Sequence, residues 1–380
     1  MDLLKKLMIS LLVIAFPLGE IARIFVGEVS LTLIDVGVGA CVLTWFLFKR
    51  RIPASRLTKP LLIFAGTLLV SLIVNVNRLS FIELSTSSLY LVRWVFYAAL
   101  YFVILDLASI KNSIKNWMLL GGSIIVFAGF LQYFLYPDLR NLFYLGWDEH
   151  LYRMFSSFLD PNFAGAFFVL FFLFLLEKIL VKKESIALKL IALATFAAIV
   201  LTFSRSAYIT LIIGIIVFLI LKRKAVLGLI ITAVFVLSIY ASSILVLKSE
   251  GTNLLRTASS EARIDSINKA LSIIKDYPIF GVGFNSYRYT QKDYGFIDES
   301  KMIIHSASGT DNSFLFILAT SGIVGFVAFL NLWLKIFSFK DPLILSSSLA
   351  LFINSFFINS LFFPPIMLWM WILIAVKENS

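Results

Sequence analysis

In this 380-residue chain, the residues best suited to chemistry stand at the ends of long apolar blocks. Asp311 directly precedes one such block, with Asn312 beside it. A carboxylate at a water-accessible block end can act as a general base and remove a proton from a sugar hydroxyl. Asp is also a common helix cap, because its side chain accepts hydrogen bonds from first-turn amides. The sequence leaves both interpretations of Asp311 open.

Four arginines could bind an anionic group, since a guanidinium fork donates paired, charge-assisted hydrogen bonds to phosphate. Arg205 joins two apolar blocks in the segment Thr202–Ser206, and Arg93 lies inside another block. Arg263 and Arg288 lie in a long polar segment. Each has a structural alternative: an anchor in a polar hairpin for Arg205, snorkelling to the interface for Arg93, and plain solvation for the other two.

Two further motifs have both structural and functional interpretations. Asp160-Pro161-Asn162 precedes an apolar block, and Asp followed by Pro is typical of a helix start. That role is compatible with a part in substrate binding for Asp160 and Asn162. Gly322 and Gly325 fall within the block that follows Asn312, where such a pair usually indicates close helix packing.

The composition decides which elements must position these residues. The chain is 60% hydrophobic and only 14% charged, and its mean hydropathy is +0.95. Soluble domains have about 25% charged residues, so a water-soluble fold and a disordered chain are both excluded. Blocks of spanning length predict an all-α polytopic transmembrane helix bundle with about 12 spans. They run approximately over residues 7–23, 29–48, 60–76, 86–105, 116–136, 162–180, 187–203, 206–221, 225–247, 312–334, 342–358 and 362–376.

The basic residues indicate the orientation. One set of alternate loops holds 19 Lys and Arg, whereas the short loops of the other set hold 5. The positive-inside rule then places both termini in the cytoplasm. The organisation expected is 1–247 with transmembrane helices 1–9, 248–311 as a large periplasmic segment, and 312–380 with helices 10–12 and a cytoplasmic C-terminus. Within 248–311, Ile264, Ile267, Leu271 and Ile274 are spaced as in an amphipathic helix.

Other kinds of chemistry lack their motifs. The chain contains no Asp-x-Asp, no phosphate-binding Gly-x-x-x-x-Gly-Lys and no Gly-x-Gly-x-x-Gly. His150 and His305 have no partner at metal-ligand spacing, and Cys41 is the single cysteine. We therefore expect no metal and no cofactor. The net charge of +11 is attributed to topology and membrane lipids, with no nucleic acid as partner.

The predicted topology places the arginines and Asp311 on one side of the membrane, which suits an anionic lipid-phosphate donor and a hydroxyl acceptor. A transporter or flippase for an anionic solute or lipid-linked sugar is the alternative. Mid-span carboxylates, which proton-coupled transporters usually need, are weakly represented: Glu20, Asp35 and Asp106 fall near block ends.

In this order and on this side, the motifs resemble the O-antigen ligase and O-antigen polymerase superfamily of the bacterial inner membrane. The order is Asp160-Pro161-Asn162, Thr202-x-Ser204-Arg205, Arg263, Pro278-x-x-Gly281-x-Gly283 and Asp311-Asn312. The ligase signature is His-Asn, nine residues, then Gly-x-x-Gly. Here Asn312 precedes Gly322-x-x-Gly325 at that spacing, Asp311 replaces the His, and Ile267 stands where the ligases have a Leu after Arg263.

This resemblance implies a metal-independent glycosyltransferase. The donor would be a glycan on undecaprenyl pyrophosphate, and the acceptor either a lipid A core sugar, in ligation, or another lipid-linked glycan, in polymerisation. Asp311 would be the catalytic residue. The arginines, with Asp160, Asn162 and Asn312, would bind substrate. Because a carboxylate differs from an imidazole in pKa and reach, the sequence does not distinguish ligase from polymerase.

Overall fold

The computed structural model describes residues 2–26, 29–48, 52–181, 185–245, 249, 251–299 and 308–378. His305 and several basic residues of the predicted cytoplasmic loops, including Lys49, Arg50 and Lys183, lie outside these ranges. The described residues are predominantly helical. The helices are α1 (Asp2–Ser10), which continues through a π-helical turn (Leu11–Ala15) into α2 (Phe16–Leu18), α3 (Leu33–Phe48), α4 (Thr58–Val74), α5 (Phe81–Asp106), α6 (Lys111–Leu135), α7 (Pro161–Val181), α8 (Ile186–Leu201), α9 (Arg205–Leu221), α10 (Ala225–Leu245), α11 (Ala258–Asp276), α12 (Tyr287–Asp293), α13 (Ser313–Phe337), α14 (Pro342–Asn354) and α15 (Pro364–Lys377).

Each predicted apolar block overlaps one of these helices, with one local difference. The block expected to be helical from residue 29 begins instead as a strand and becomes helical at Leu33. Strands β1 (Arg23–Val26) and β2 (Val29–Thr32) pair antiparallel, with Arg23 opposite Thr32. Both segments are rich in residues that favour strands, and this local preference replaces the predicted helix with a hairpin.

Five helices in the described part of the chain are long and apolar enough to cross a membrane. They are Phe81–Asp106, Ala108–Leu135, Pro161–Val181, Ala225–Ser242 and Ser313–Phe337. Shorter apolar helices of 10–17 residues, α3, α4, α8, α9, α14 and α15, pack among them. The chain is therefore a helical membrane protein, while the total of about 12 spans stays a prediction.

Helix α7 is the centre of the bundle. From Ala164 to Leu176 its side chains are buried all round, as expected for a helix that is apolar on every face. It packs against α8, α9 and α14. Trp369 of α15 lies edge-on to Phe167, Phe171 and Phe174, with ring centroids 5.2 to 5.8 Å apart.

One end of the bundle carries the long connections, and we call it the loop end. There α8 ends, and α7, α9 and α13 begin. The connection 137–160 folds onto this end, where the Met154 amide donates to the carbonyl of Leu201 at 2.9 Å. Helix α11 packs on α13 at the same end. The opposite end is closed by Lys377 of α15, whose ammonium lies 2.7 Å from Glu177 and 3.1 Å from Asp341.

Candidate functional site

A cavity of about 410 Å³ opens at the loop end between α9, α11 and the start of α13. Its wall includes Arg205, Arg263, Asp311 and Asn312, four of the residues that the sequence analysis singled out. These residues come from three elements that together span about a hundred positions of the chain. The fold thus brings two cations, a carboxylate and an amide into one space.

Arg205 is held at the first position of α9. Ser204 caps this helix, and its hydroxyl accepts a hydrogen bond from the amide of Ala207 at 3.4 Å. The Arg205 guanidinium donates to the hydroxyl of Ser260 on α11 at 3.1 Å. This contact joins α9 to α11 at the cavity wall.

Arg263 lies one helical turn after Ser260 and is partly buried. Burial lowers the pKa of its guanidinium; the nearby Asp311 carboxylate opposes this, and Arg205 lowers the pKa further. A guanidinium stays protonated in proteins, so both arginines are cations in the cavity. Two neighbouring cations in a partly desolvated space favour an anionic ligand.

The cap of α13 is Asn312 and not Asp311. The Asn312 side-chain oxygen accepts from the amides of Phe314 at 2.8 Å and Leu315 at 3.1 Å. Asp311 uses its backbone instead, donating its amide to the hydroxyl of Ser266 on α11 at 3.3 Å. The structural alternative for Asp311 is thereby removed, because another residue fills the capping role.

The electrostatic surroundings of Asp311 favour proton uptake. Burial raises the pKa of its carboxyl, Arg263 lowers it, and the carboxylates of Asp160 and Asp148 raise it further. A carboxylate with a raised pKa is a stronger base than a solvated one. Asp311 thus lies at the cavity wall with the pKa of its carboxyl above the ordinary value.

Asp160 and Asn162 lie behind the cavity wall. Asp160 caps α7, accepting from the amide of Asn162 at 2.6 Å, and its other oxygen lies 3.8 Å from Nε2 of His150. Asn162 accepts from the hydroxyl of Ser204 at 2.9 Å and from Arg153 at 3.3 Å. The predicted helix start is therefore confirmed, and neither residue lines the cavity.

Two further arginines, Arg153 and Arg256, lie close to the site and were not among the residues predicted from the sequence. Arg153 is fully buried and donates to the carbonyls of Thr202 at 2.9 Å and Phe203 at 3.4 Å. Arg256 donates to Phe203 as well, at 3.3 Å. The two cations thereby satisfy carbonyls at the C-terminus of α8, where the helix dipole favours positive charge. Burial lowers the pKa of Arg153 to about 9, and Arg256 adds to the effect. The sequence signal for Arg153 was limited to an arginine in the connection between two apolar blocks.

The structure places Arg93 and Arg288 outside this cavity. Arg93 pairs with Asp35 at 3.0 Å, donates to the carbonyl of Ser30, and lies over the Tyr90 ring at 4.7 Å. Its charge is thus compensated within a separate polar cluster below the hairpin. Arg288 is partly exposed on α12, which packs on α13.

In the described part of the chain, no group of three or more His, Cys, Asp or Glu is arranged to hold a metal ion. The residues that line the cavity are consistent with this, since they supply cations, hydroxyls and one carboxylate. Independence from metal stays a prediction.

These features define a class: a helical membrane protein with a cavity at one end of the bundle, lined, among the described residues, by two arginines and one partly buried carboxylate. Residues 190–330 match the family described as O-antigen ligase (Wzy_C). The match spans α8 to most of α13 and includes Arg205, Arg263 and Asp311. It confirms the resemblance to the O-antigen ligase and polymerase superfamily and supports a function of that kind. No curated protein matches the chain.

Proposed function

We propose that this protein is a glycosyltransferase that moves a glycan from undecaprenyl pyrophosphate to a sugar hydroxyl. The observation that carries the proposal is the shared cavity of Arg205, Arg263 and Asp311. In this cavity the two arginines can bind a pyrophosphate, and the carboxylate can accept a proton from a hydroxyl. The family match over the same residues supports it.

The two arginines are proposed to bind the pyrophosphate. Arg205 and Arg263 approach from different helices, so a bridging group with two phosphates suits them better than a single small anion. Their charge also stabilises the pyrophosphate as a leaving group, which then departs without a strong acid.

The apolar part of the wall suits a lipid carrier. The cavity that contains the arginines is also lined by apolar side chains, namely Ile209 of α9, Ile264 of α11, Leu315 of α13 and Phe356. An isoprenoid chain can extend along these side chains while the pyrophosphate stays at the cationic end.

Asp311 is proposed to take the proton of the acceptor hydroxyl. The hydroxyl oxygen forms a bond to the anomeric carbon of the donor sugar as the bond from that carbon to the pyrophosphate oxygen breaks. The proton moves to the Asp311 carboxylate, and undecaprenyl pyrophosphate leaves. Removal of such a base costs on the order of 10²–10⁴-fold in rate.

By the distribution of Lys and Arg, the active face is the periplasmic side of the inner membrane, and both termini are cytoplasmic. The acceptor is a lipid A core sugar in a ligase and a second lipid-linked glycan in a polymerase. Arg93 and Arg288 are left out of the proposed site because they lie outside the cavity.

The experiment that tests the proposal is transfer in vitro by purified protein from an undecaprenyl-pyrophosphate glycan to a lipid-linked glycan or to lipid A core. Wild type should form product, and Arg205→Ala should not. Arg140→Ala is a matched control, because Arg140 is 67% exposed and pairs with Asp138. Glycan analysis of a deletion strain then separates the two acceptors: unlinked polymer indicates a ligase, and single repeat units indicate a polymerase.

A further inference from the structure

Helix α13 is interrupted at Gly322, whose φ of 63° and ψ of −168° lie outside the helical region. In an unbroken helix the amides of Ile323 and Val324 would donate four residues back. Here Ile323 donates to the carbonyl of Pro278 at 2.9 Å, and Val324 donates to the carbonyl of Ile279 at 3.3 Å. Both acceptors belong to the segment Pro278–Gly283, which follows α11 and which we call the strap.

The strap also pairs with the carbonyls that the interruption exposes. The amide of Val282 donates to Ala319 and that of Gly283 donates to Thr320, each at 3.0 Å. In an unbroken helix these two carbonyls would accept from the amides of Ile323 and Val324. Here all four groups form their hydrogen bonds with the strap instead. Because unpaired backbone groups are costly in an apolar bundle, this exchange resists separation.

Glycine is required on both sides of the exchange. A Cβ on Gly281 would lie 2.4 Å from the carbonyl carbon of Thr320, and one on Gly322 would lie 2.2 Å from the carbonyl oxygen of Ile279. Both glycines also have positive φ, which other residues rarely adopt. The two glycine motifs noted in the sequence are therefore halves of one contact.

The C-terminal end of α4 and Asn75, which directly follows this helix, hold the strap in place. The side-chain amide of Asn75, which is 3% exposed, donates to the carbonyls of Gly281 at 3.0 Å and Ser71 at 2.8 Å. The Ser71 hydroxyl donates to the carbonyl of Thr320 at 2.7 Å. The two residues thus bind the strap and the interrupted helix together.

Helix α11 is consequently attached to α13 at two levels. Its C-terminal end, Asp276, lies two residues before the strap. Nearer its start, Ser266 accepts the hydrogen bond from the amide of Asp311. Arg263 lies one turn before Ser266, so these two attachments fix its height and rotation relative to Asp311.

We propose that the strap is a positioning device for the site, and that Asn75 is a positioning residue that acts through Arg263. The inference rests on the proposed function, because it assigns Arg263 to pyrophosphate binding. Without the strap, α11 would keep only the contacts near its start, from Arg205 to Ser260 and from Asp311 to Ser266, and Arg263 would be held from one end of the helix only.

The first test does not depend on the function. In Asn75→Ala, hydrogen–deuterium exchange should rise about tenfold in the strap and in α11, as expected for losing one buried hydrogen-bond donor. Gly66→Ala in α4 is the control, because its added Cβ meets no atom within 4 Å and exchange should not change. Unchanged exchange in α11 of Asn75→Ala would overturn the inference whatever the protein does.

The second test separates positioning from a general loss of structure. The probe is undecaprenyl pyrophosphate without glycan, bound to purified variants in detergent. Adding Asn75→Ala should weaken binding about tenfold in the wild-type protein and in the Arg205→Ala variant. It should have no further effect in the Arg263→Ala variant, because a residue that acts through Arg263 has nothing left to position there. Equal weakening in all three backgrounds would contradict the positioning role. Failure of wild type to bind the probe would count against the proposed function, and the exchange measurement would still decide the inference.

Discussion

Asn312 caps α13 with its own side chain, and this leaves the carboxylate of the adjacent Asp311 out of the cap. The two residues are neighbours in sequence, and both are good capping residues. Only one is used for that purpose. The other lines the cavity that also contains Arg205 and Arg263. The division of roles between these two residues supports a chemical role for Asp311.

The shape of the arginine head group should matter for donor binding. In Arg205→Lys and Arg263→Lys the charge is kept, but the bidentate fork is lost. We expect the Kd for undecaprenyl pyrophosphate to rise about tenfold in each variant, which corresponds to about 1.4 kcal/mol. Titration of purified protein with the lipid measures this. Arg288→Lys is the control and should bind as wild type does. Wild-type affinity in both cavity variants would remove these arginines from the site.

The pH dependence of transfer should follow the charges around Asp311. A base must be ionised, so the rate should fall as the pH drops through the raised pKa of this carboxyl. Asp160→Asn removes a nearby negative charge and keeps a capping side chain for α7. The pKa of Asp311 should then fall, and the acid limb should move to lower pH. Arg263→Ala removes the opposing positive charge and should move the limb to higher pH. Rate profiles between pH 4 and 8 measure both shifts. Identical acid limbs in wild type and both variants would show that Asp311 does not limit the rate.

Arg93 should matter for stability rather than for donor binding. It forms a buried ion pair with Asp35, whose side chain is 7% exposed. Asp35→Asn leaves the guanidinium without its counter-ion, and such a change typically costs about 3–5 kcal/mol. We expect a clear drop in the melting temperature of Asp35→Asn, measured in detergent. Residual folded protein should bind undecaprenyl pyrophosphate with wild-type affinity. Loss of affinity without loss of stability would return Arg93 to the binding site.

The orientation can be tested with introduced cysteines, because the native Cys41 is buried. Leu255 is 88% exposed at the loop end, and Lys224 is exposed at the opposite end between α9 and α10. In intact cells, Leu255→Cys should react with a maleimide that does not cross the inner membrane. Lys224→Cys should react only after that membrane is opened. The reverse pattern would invert the predicted topology.

The sequence predicted the parts of this structure that depend on composition and sidedness. The apolar blocks predicted the order of the helices, and the alternation of loops predicted that Arg205, Arg263 and Asp311 meet at one end. The family match confirms the resemblance based on these motifs.

The remaining features depend on contacts between residues far apart in the chain, and no periodic pattern in the sequence indicates such contacts. The strap exchanges backbone hydrogen bonds with residues about 40 positions away, and Asn75, which follows α4, contacts it from a more distant part of the chain. Arg93 finds its counter-ion 58 positions earlier in the chain, in Asp35. The sequence also did not predict that Asn312 and not Asp311 caps α13, because both side chains can accept hydrogen bonds from the amides of the first turn.

The most direct test of the account is the turnover of Asp311→Asn. This variant keeps the size of the side chain and leaves the Asn312 cap intact, so its melting temperature should match that of wild type. Asn312→Ala is the matched comparison, and it should lose about 1 kcal/mol of stability with its cap. With a saturating undecaprenyl-pyrophosphate glycan donor, Asp311→Asn should transfer about 10²–10⁴-fold more slowly than wild type. Near-normal turnover by folded Asp311→Asn would contradict the assignment of Asp311 as the catalytic base.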